Sequence, residues 1–363
     1  MTTIAQPAIE ITGGVDTHKD THTAAVIDAA GRELGSRQFP TTPVGYRALL
    51  AWLRSFGTLV MVGIEGTGVY GTGLARLLAQ EDVPMAEIDR PDRKSRRWQG
   101  KSDPVDAYAA ARAALARRRT GVPKQRDGRV EALRSLRVAR RSAVQHRADL
   151  VRRIKALVIT APDEVRTALR RLADKDLLAV CAGFRPDAGR MAEPSVAAKA
   201  ALRSLARRHR DLTTEIAELD ELIAPLVEQA APDLLALNGV GHEVAGQLLV
   251  TAGQNPERLK SEAAFAMLCG VAPLPASSGR THRHRLNRGG DRQANSALHR
   301  IVICRLRWDQ RTKTYVERRT KEGMSKKEIM RCLKRYVARD VFHALTRQNT
   351  RATTPDQPLR AAA

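Results

Sequence analysis

Apolar positions in the first hundred residues fall into short alternating or continuous runs. Ile11 to Val15, Thr23 to Ile27 and Glu33 to Phe39 read as three strands, with Asp28-Ala29-Ala30-Gly31 as a hairpin turn. Pro43 opens a helical stretch that ends near Ser55. Leu59-Val60-Met61-Val62-Gly63-Ile64 is continuous and β-branched, the pattern of a buried strand. Gly66 and Gly68 punctuate the chain after it, a helix follows to about Gln80, and Val83 to Ile88 predicts a further strand. Ser102-Asp103-Pro104 opens another helix, with Asp103 as N-cap and Pro104 as first helical residue. The order βββ-α-β-α-β-α predicts a mixed α/β domain.

The pattern then becomes helical. Leu133, Leu136, Ala143, Leu150, Ile154 and Leu157 recur at three/four spacing within 125–160, interrupted by Arg140 and Arg147. Ala198, Leu202, Leu205, His209, Leu212, Ile216, Leu219, Ile223 and Leu226 form a heptad seam. The two patterns predict an antiparallel hairpin or an oligomeric coiled coil, with Pro186 and Pro194 in the connection and His209 a tolerated seam residue. Leu237-Asn238-Gly239-Val240-Gly241, before a helix from His242 to Thr251, resembles a helix-hairpin-helix. Gly239 and Gly241 could there offer backbone N–H groups to a phosphate, or simply form a packing turn. Residues 277–295 read as a polar, ordered loop, helices resume from Leu298 to Leu345, and the tail after Gln348 reads as frayed. The expected divisions are 1–120 (α/β), 121–230 (coiled-coil helices), 231–348 (mainly helical) and a flexible tail, 349–363.

Composition narrows the function. Of 363 residues, 43% are hydrophobic, which excludes a wholly disordered chain. With 62 Lys and Arg against 39 Asp and Glu, the net charge is +23, and a polyanionic partner is expected. The excess is local. Residues 111–155 hold 15 basic and 3 acidic residues, and 271–351 hold 21 and 6, whereas 1–110 hold 12 and 13. Two dense blocks suit two nucleic-acid surfaces better than a merely solvated exterior. Arg117, Arg118 and Arg119 lead the first block; Arg280, Arg283, Arg285, Arg288 and Arg292 lead the second. No run approaches 18 apolar residues and no signal-like segment opens the chain, so a soluble, cytoplasmic protein without a membrane partner is expected. Cys181, Cys269, Cys304 and Cys332 are scattered, without a CxxC pair, and read as reduced residues rather than a disulfide framework.

Four carboxylates stand out by position. Asp16 ends the first strand and Glu65 the buried one; Asp103 and Asp106 are three apart at a helix start, on one face. In an RNase H-like fold the first and fourth strands end side by side, and the last helix brings its acids to the same edge. Gathered carboxylates repel unless cations lie between them, and two Mg²⁺ ions would be natural occupants. Each acid alone also has a bland reading: Asp103 a cap, Asp106 a dipole partner, Asp16 a turn residue. His18, Asp20 and His22 read as bystanders.

The segments Gly14-Val15-Asp16-Thr17-His18-Lys19-Asp20, Gly63-Ile64-Glu65-Gly66-Thr67-Gly68 and Lys101-Ser102-Asp103-Pro104-Val105-Asp106-Ala107 together resemble the DEDD transposases of bacterial insertion sequences, the IS-one-ten family. Leu268-Cys269-Gly270-Val271-Ala272-Pro273, Ala276-Ser277-Ser278-Gly279 and Asn287-Arg288-Gly289-Gly290-Asp291-Arg292 are similar to that family's second motif set, and Lys334-Arg335-Tyr336-Val337-Ala338-Arg339 to its C-terminal helix. The resemblance implies a RuvC-like (RNase H-fold) N-terminal domain, a coiled-coil middle and a C-terminal transposase domain. It implies that Asp16, Glu65, Asp103 and Asp106 hold the metal and that Ser278 is the nucleophile. Ser277 is the alternative, and from the residues alone both serines are equally a polar loop. It further implies recombination of donor and target DNA guided by a structured bridge RNA. Ser102 and Pro104 depart from the family's commoner residues without removing a ligand.

The expected function is therefore a DNA transposase acting as a homo-oligomer, dimer or tetramer, through Mg²⁺-assisted attack by Ser278 and a covalent phosphoserine intermediate. The arginines after Ser278 would grip flanking phosphates. The rivals are a RuvC-like nuclease or junction resolvase that uses water, and a non-enzymatic nucleic-acid-binding protein.

Overall fold

The computed structural model describes residues 9–88, 102–117, 120–280 and 284–352. Two compact units emerge, one of Met1–Asp127 with Ala252–Phe265, the other of Gly128–Thr251 with Ala266–Ala363.

The first unit is built on a six-stranded sheet: β1 (Glu10–Thr17), β2 (Thr21–Asp28), β3 (Glu33–Pro40), β4 (Thr58–Glu65), β5 (Met85–Ile88) and β6 (Thr120–Gly121), in the order β3-β2-β1-β4-β5-β6. β1–β2–β3 form an antiparallel meander, β4 and β5 add in parallel, and β6 is antiparallel. This mixed sheet is compatible with an RNase H-like fold. β6 escaped the sequence pattern because two residues carry no periodicity. The helices are α1 (Pro43–Arg54), α2 (Thr72–Gln80) and α3 (Asp103–Leu115).

Adjacent glycines in β1 show which helix lies on which face. A Cβ on Gly13 would meet Leu53 of α1, and one on Gly14 would meet the Ala107 carbonyl and Ala111 of α3. Successive strand residues point to opposite faces, so α1 and α3 flank the sheet on opposite sides. α1 and α2 bury Leu49, Leu50, Leu53, Leu74 and Leu78 against Val15, Val62 and Ile64. α3 instead buries Ala107, Ala110, Ala111 and Ala114. Its small side chains, with Gly14 and Gly63 beneath them, let its backbone come close to the strands.

In the second unit α4 (Gly128–Thr160) packs along α7 (Pro194–Ala230) as a helical hairpin. The expected seam is partly kept. Ala198, Leu202, Ile216 and Ile223 are buried, while Ala206 and Val227 are buried in place of Leu205 and Leu226. A 3.6-residue turn drifts against a strict heptad, which moves the contact line by one position. The connection is itself structured. Helices α5 (Asp163–Leu169) and α6 (Asp174–Gly183) build a small core of Val165, Leu169, Leu177 and Cys181 with Ile154, Val158 and Leu202.

The remainder comprises α8 (Pro232–Leu235), α9 (His242–Ala252), α10 (Glu262–Leu268), the short hairpin β7 (Leu274–Pro275) and β8 (His284–Arg285), then α11 (Arg292–Trp308), α12 (Gln310–Lys321) and α13 (Lys326–Ala352). α11 starts earlier than the polar-loop reading of 277–295 allowed, because Asp291 caps it by accepting from the Gln293 and Ala294 N–H groups. α13 also runs past Leu345, its expected end. No helix among the described residues is long and apolar enough to cross a membrane. The four cysteines are free thiols, and burial pushes that of Cys181 up to about 11.

Candidate active site

β1 and β4 pair in parallel with Asp16 directly opposite Glu65, so the strand register alone sets these two acids side by side. The Thr17 hydroxyl donates to the Glu65 carbonyl at 2.7 Å and ties the strand ends together. α3 supplies the other pair. Its N-cap is Ser102, one residue before the expected Asp103, and Ser102 makes no side-chain cap bond. Asp103 thus sits in the first turn, where its carboxylate is within 3.4 Å of His18 Nε2. Asp106 is 3% exposed, and with Asp16 and Glu65 it lines a cleft of about 350 Å³. Thr17, His18, Gly66, Val69 and Tyr70 complete that lining.

The electrostatics match the crowding. Burial raises the Asp16 carboxyl above its ordinary range, and the negative charges of Asp106 and Asp103 push the same way, while His18 opposes them. His18 Nε2 is 3.1 Å from Asp16 Oδ2 and bridges towards Asp103. Its role in the cleft was not legible in the sequence, where it is only a polar residue two beyond Asp16. His22 is fully buried instead, stacked on Tyr46 at 5.5 Å, with burial holding its pKa down. The ligand atoms of Asp16, His18 and Asp103 lie within 4.8 Å of one another, close enough to share an ion. Carboxylate oxygens dominate this donor set, which suits a hard divalent cation.

In the second unit, Ser277, Ser278, Gly279 and Arg280 are exposed on the hairpin closed by β7 and β8. Gly279 has φ +55°, and a Cβ there would meet nothing within 4 Å, so the backbone turns in open space. Both ends of the hairpin are fastened at one point. The Asn295 side-chain amide donates to the Cys269 and Gly270 carbonyls at 3.0 and 3.1 Å, and Lys334 Nζ donates to Asn295 Oδ1 at 2.9 Å. The Asp291 N–H donates to the Leu268 carbonyl, and the Thr251 hydroxyl to the Asp291 carboxylate at 2.7 Å. Gly270 and Gly290, with φ +64° and +82°, pack backbone on backbone here. Asn295 was not singled out from sequence, since nothing local marks it. Arg285, Arg288 and Arg292 are exposed on the same segment. Arg283, like Arg118 and Arg119, lies outside the described residues; Arg117 is exposed, with φ +48°. Gly239 faces α11, where a Cβ would meet the Ile301 carbonyl and Cys304; Gly241 is open.

Two family models match the chain, and together they span well over half of it. A DEDD transposase model of the IS110 group covers residues 13–161, and a model described as Transposase IS116/IS110/IS902 family covers 231–317. The chain belongs to the IS110 family of transposases. Membership makes it a transposase that works on DNA, and the DEDD class points to use of a divalent metal. The first model spans Asp16, Glu65, Asp103 and Asp106; the second spans the serine hairpin and its fastening as far as Asn295. No curated protein matches the chain.

Proposed function

We propose that this transposase cuts and rejoins donor and target DNA through a covalent phosphoserine formed by Ser278, with Asp16, Glu65, Asp103 and Asp106 as the metal-binding acids. The observation that carries the reading is the convergence of the four acids, from three separated segments, at the C-terminal ends of the paired central strands β1 and β4. Their oxygens would hold Mg²⁺, two ions in the family pattern, and the metal would supply charge stabilisation for phosphoryl transfer.

Ser278 Oγ attacks the phosphorus and its proton passes to solvent. The bond from phosphorus to the departing deoxyribose oxygen breaks, and that oxygen leaves as a hydroxyl. Rejoining runs the same exchange backwards with the incoming strand, so the phosphodiester energy is retained. The exposed hairpin lets Ser278 reach a DNA backbone, and Arg280, Arg285, Arg288 and Arg292 hold neighbouring phosphates. A structured guide RNA occupies part of the basic surface, and the working complex is a dimer or tetramer.

Ser278→Ala should lose cleavage and strand exchange while keeping DNA and RNA binding, and Ser277→Ala should be milder. Peptide mass analysis of wild type trapped on nicked DNA should give a DNA-linked peptide containing Ser278. Cleavage by Ser278→Ala, with no adduct in wild type, would assign the chemistry to water. Asp16→Asn and Glu65→Gln should each abolish Mg²⁺-supported cleavage with folding intact; wild-type rates in either would remove the acids from the reaction.

A further inference from the structure

A cavity of about 620 Å³ opens between α11, α12 and α13, away from the serine hairpin's own residues. Its floor is apolar: Val302, Leu333 and Val337 are at most 6% exposed. One wall is aromatic. Tyr315 and Tyr336 stand edge to face, 5.6 Å between centroids at 86°. Guanidinium groups lie over both rings, Arg318 5.4 Å from the Tyr315 centroid and Arg339 5.6 Å from that of Tyr336. Burial and the neighbouring Cys332 and Tyr336 push the Tyr315 hydroxyl up to about 12, so it stays a neutral hydrogen-bond donor.

The rim is cationic beyond its internal needs. Arg305 is satisfied by Asp340 at 2.8 Å and by the Asn238 carbonyl. Asp309 accepts from the backbone N–H and hydroxyl of Thr312 and caps α12. Arg311 and Arg339 form no ion pair among the described residues, and Arg318 meets Glu322 only at 3.8 Å. A cavity with an apolar floor, an aromatic wall and guanidinium groups at its rim matches a ligand that is planar at one end and anionic at the other.

We propose that this cavity takes one unstacked nucleotide of a single-stranded nucleic acid, its base against Tyr315 and Tyr336 and its phosphate on Arg311 and Arg339. A duplex offers only base edges in its grooves, whereas an unpaired base offers its face to aromatic rings and guanidinium planes. The site would let the enzyme sense an unpaired position in a guide or in an opened DNA strand. It rests on the basic second unit meeting nucleic acid, but not on the serine chemistry.

The test uses short single strands of DNA and of RNA, each with one 2-aminopurine, titrated with full-length protein and compared with a duplex of the same sequence. Wild type should quench the fluorophore saturably on at least one strand type, and the arm that responds identifies the sugar. Tyr315→Ala should abolish the quenching and weaken single-strand binding roughly tenfold, as expected for loss of one base stack. Tyr315→Phe should retain both. Duplex affinity should be unchanged. Should Tyr315→Ala lose its helical circular dichroism, the exposed pair Arg311→Ala and Arg339→Ala decides by the same readout. Absence of quenching in wild type on both strands, or equal losses on single strand and duplex in folded variants, would overturn the proposal. DNA cleavage by Ser278 is not read, so failure here leaves that reaction standing.

Discussion

At the scale of single residues, the acidic cleft depends on atoms that are missing. A methyl group on Gly14 would lie 2.1 Å from the Ala107 carbonyl, which is backbone and cannot swing aside. Gly14→Ala should therefore push α3 off the sheet and cost about 1–3 kcal/mol, the usual range for overpacking. The urea midpoint checks the stability, and cleavage should fall more than stability does, because Asp103 and Asp106 travel with the helix. Asp28 offers a second residue-scale test. It accepts from the Ala30 and Arg32 N–H groups and pairs with Arg32 Nε at 2.6 Å, which holds its carboxyl below the ordinary range. A depressed folded-state pKa means stabilisation that is present above the unfolded carboxylate's range and lost as pH falls through the folded value. Asp28→Ala should lower the thermal midpoint at neutral pH and converge with wild type in strong acid. Asp16 and Glu65 could be picked out by sequence because each ends an apolar run. His18 could not, because its place between Asp16 and Asp103 depends on α3, eighty-odd positions away in the chain.

Elements were legible where they were long and periodic. The strands of the meander, the buried β4, the helix after Asp103 and the α4–α7 pair all follow from apolar spacing. What was hidden is what tertiary contact decides: the two-residue β6, the short α5 and α6, and the start of α11. The α11 start matters most, since the Asp291 carboxylate caps the helix and accepts from Thr251, while the Asp291 N–H donates to the Leu268 carbonyl at the base of the serine hairpin. Asp291→Ala should cost about 0.5–2 kcal/mol for the cap alone. Asn295→Ala leaves two carbonyls without their donor, and should add about 1–3 kcal/mol of instability. Limited proteolysis should then cut within 271–288 before any other described loop. An unchanged cutting pattern would show that the hairpin holds itself.

For the whole molecule, the charge blocks make a prediction that no single contact does. Replacing Arg117, Arg118 and Arg119 by Gln should weaken nucleic-acid binding and flatten its dependence on salt, because fewer counterions are released. An unchanged slope would assign these residues to a solvated surface. Assembly is the second test at this scale. Light scattering of the nucleic-acid-bound protein should give a dimer or tetramer, and a strictly monomeric active complex would refute the oligomer.

The fastening at Leu268–Gly270 and Gly289–Asp291 has a consequence for how such a chain can change. The serine hairpin enters and leaves through one tied neck, made by bonds from Asn295 and Asp291 rather than by the hairpin's own tip. Around Ser278, the hairpin's length and side chains could then change while the neck keeps the scaffold intact. The hairpin is in that sense a cassette built around one fixed serine, whose flanks could vary in what they grip without the rest of the molecule having to be rebuilt.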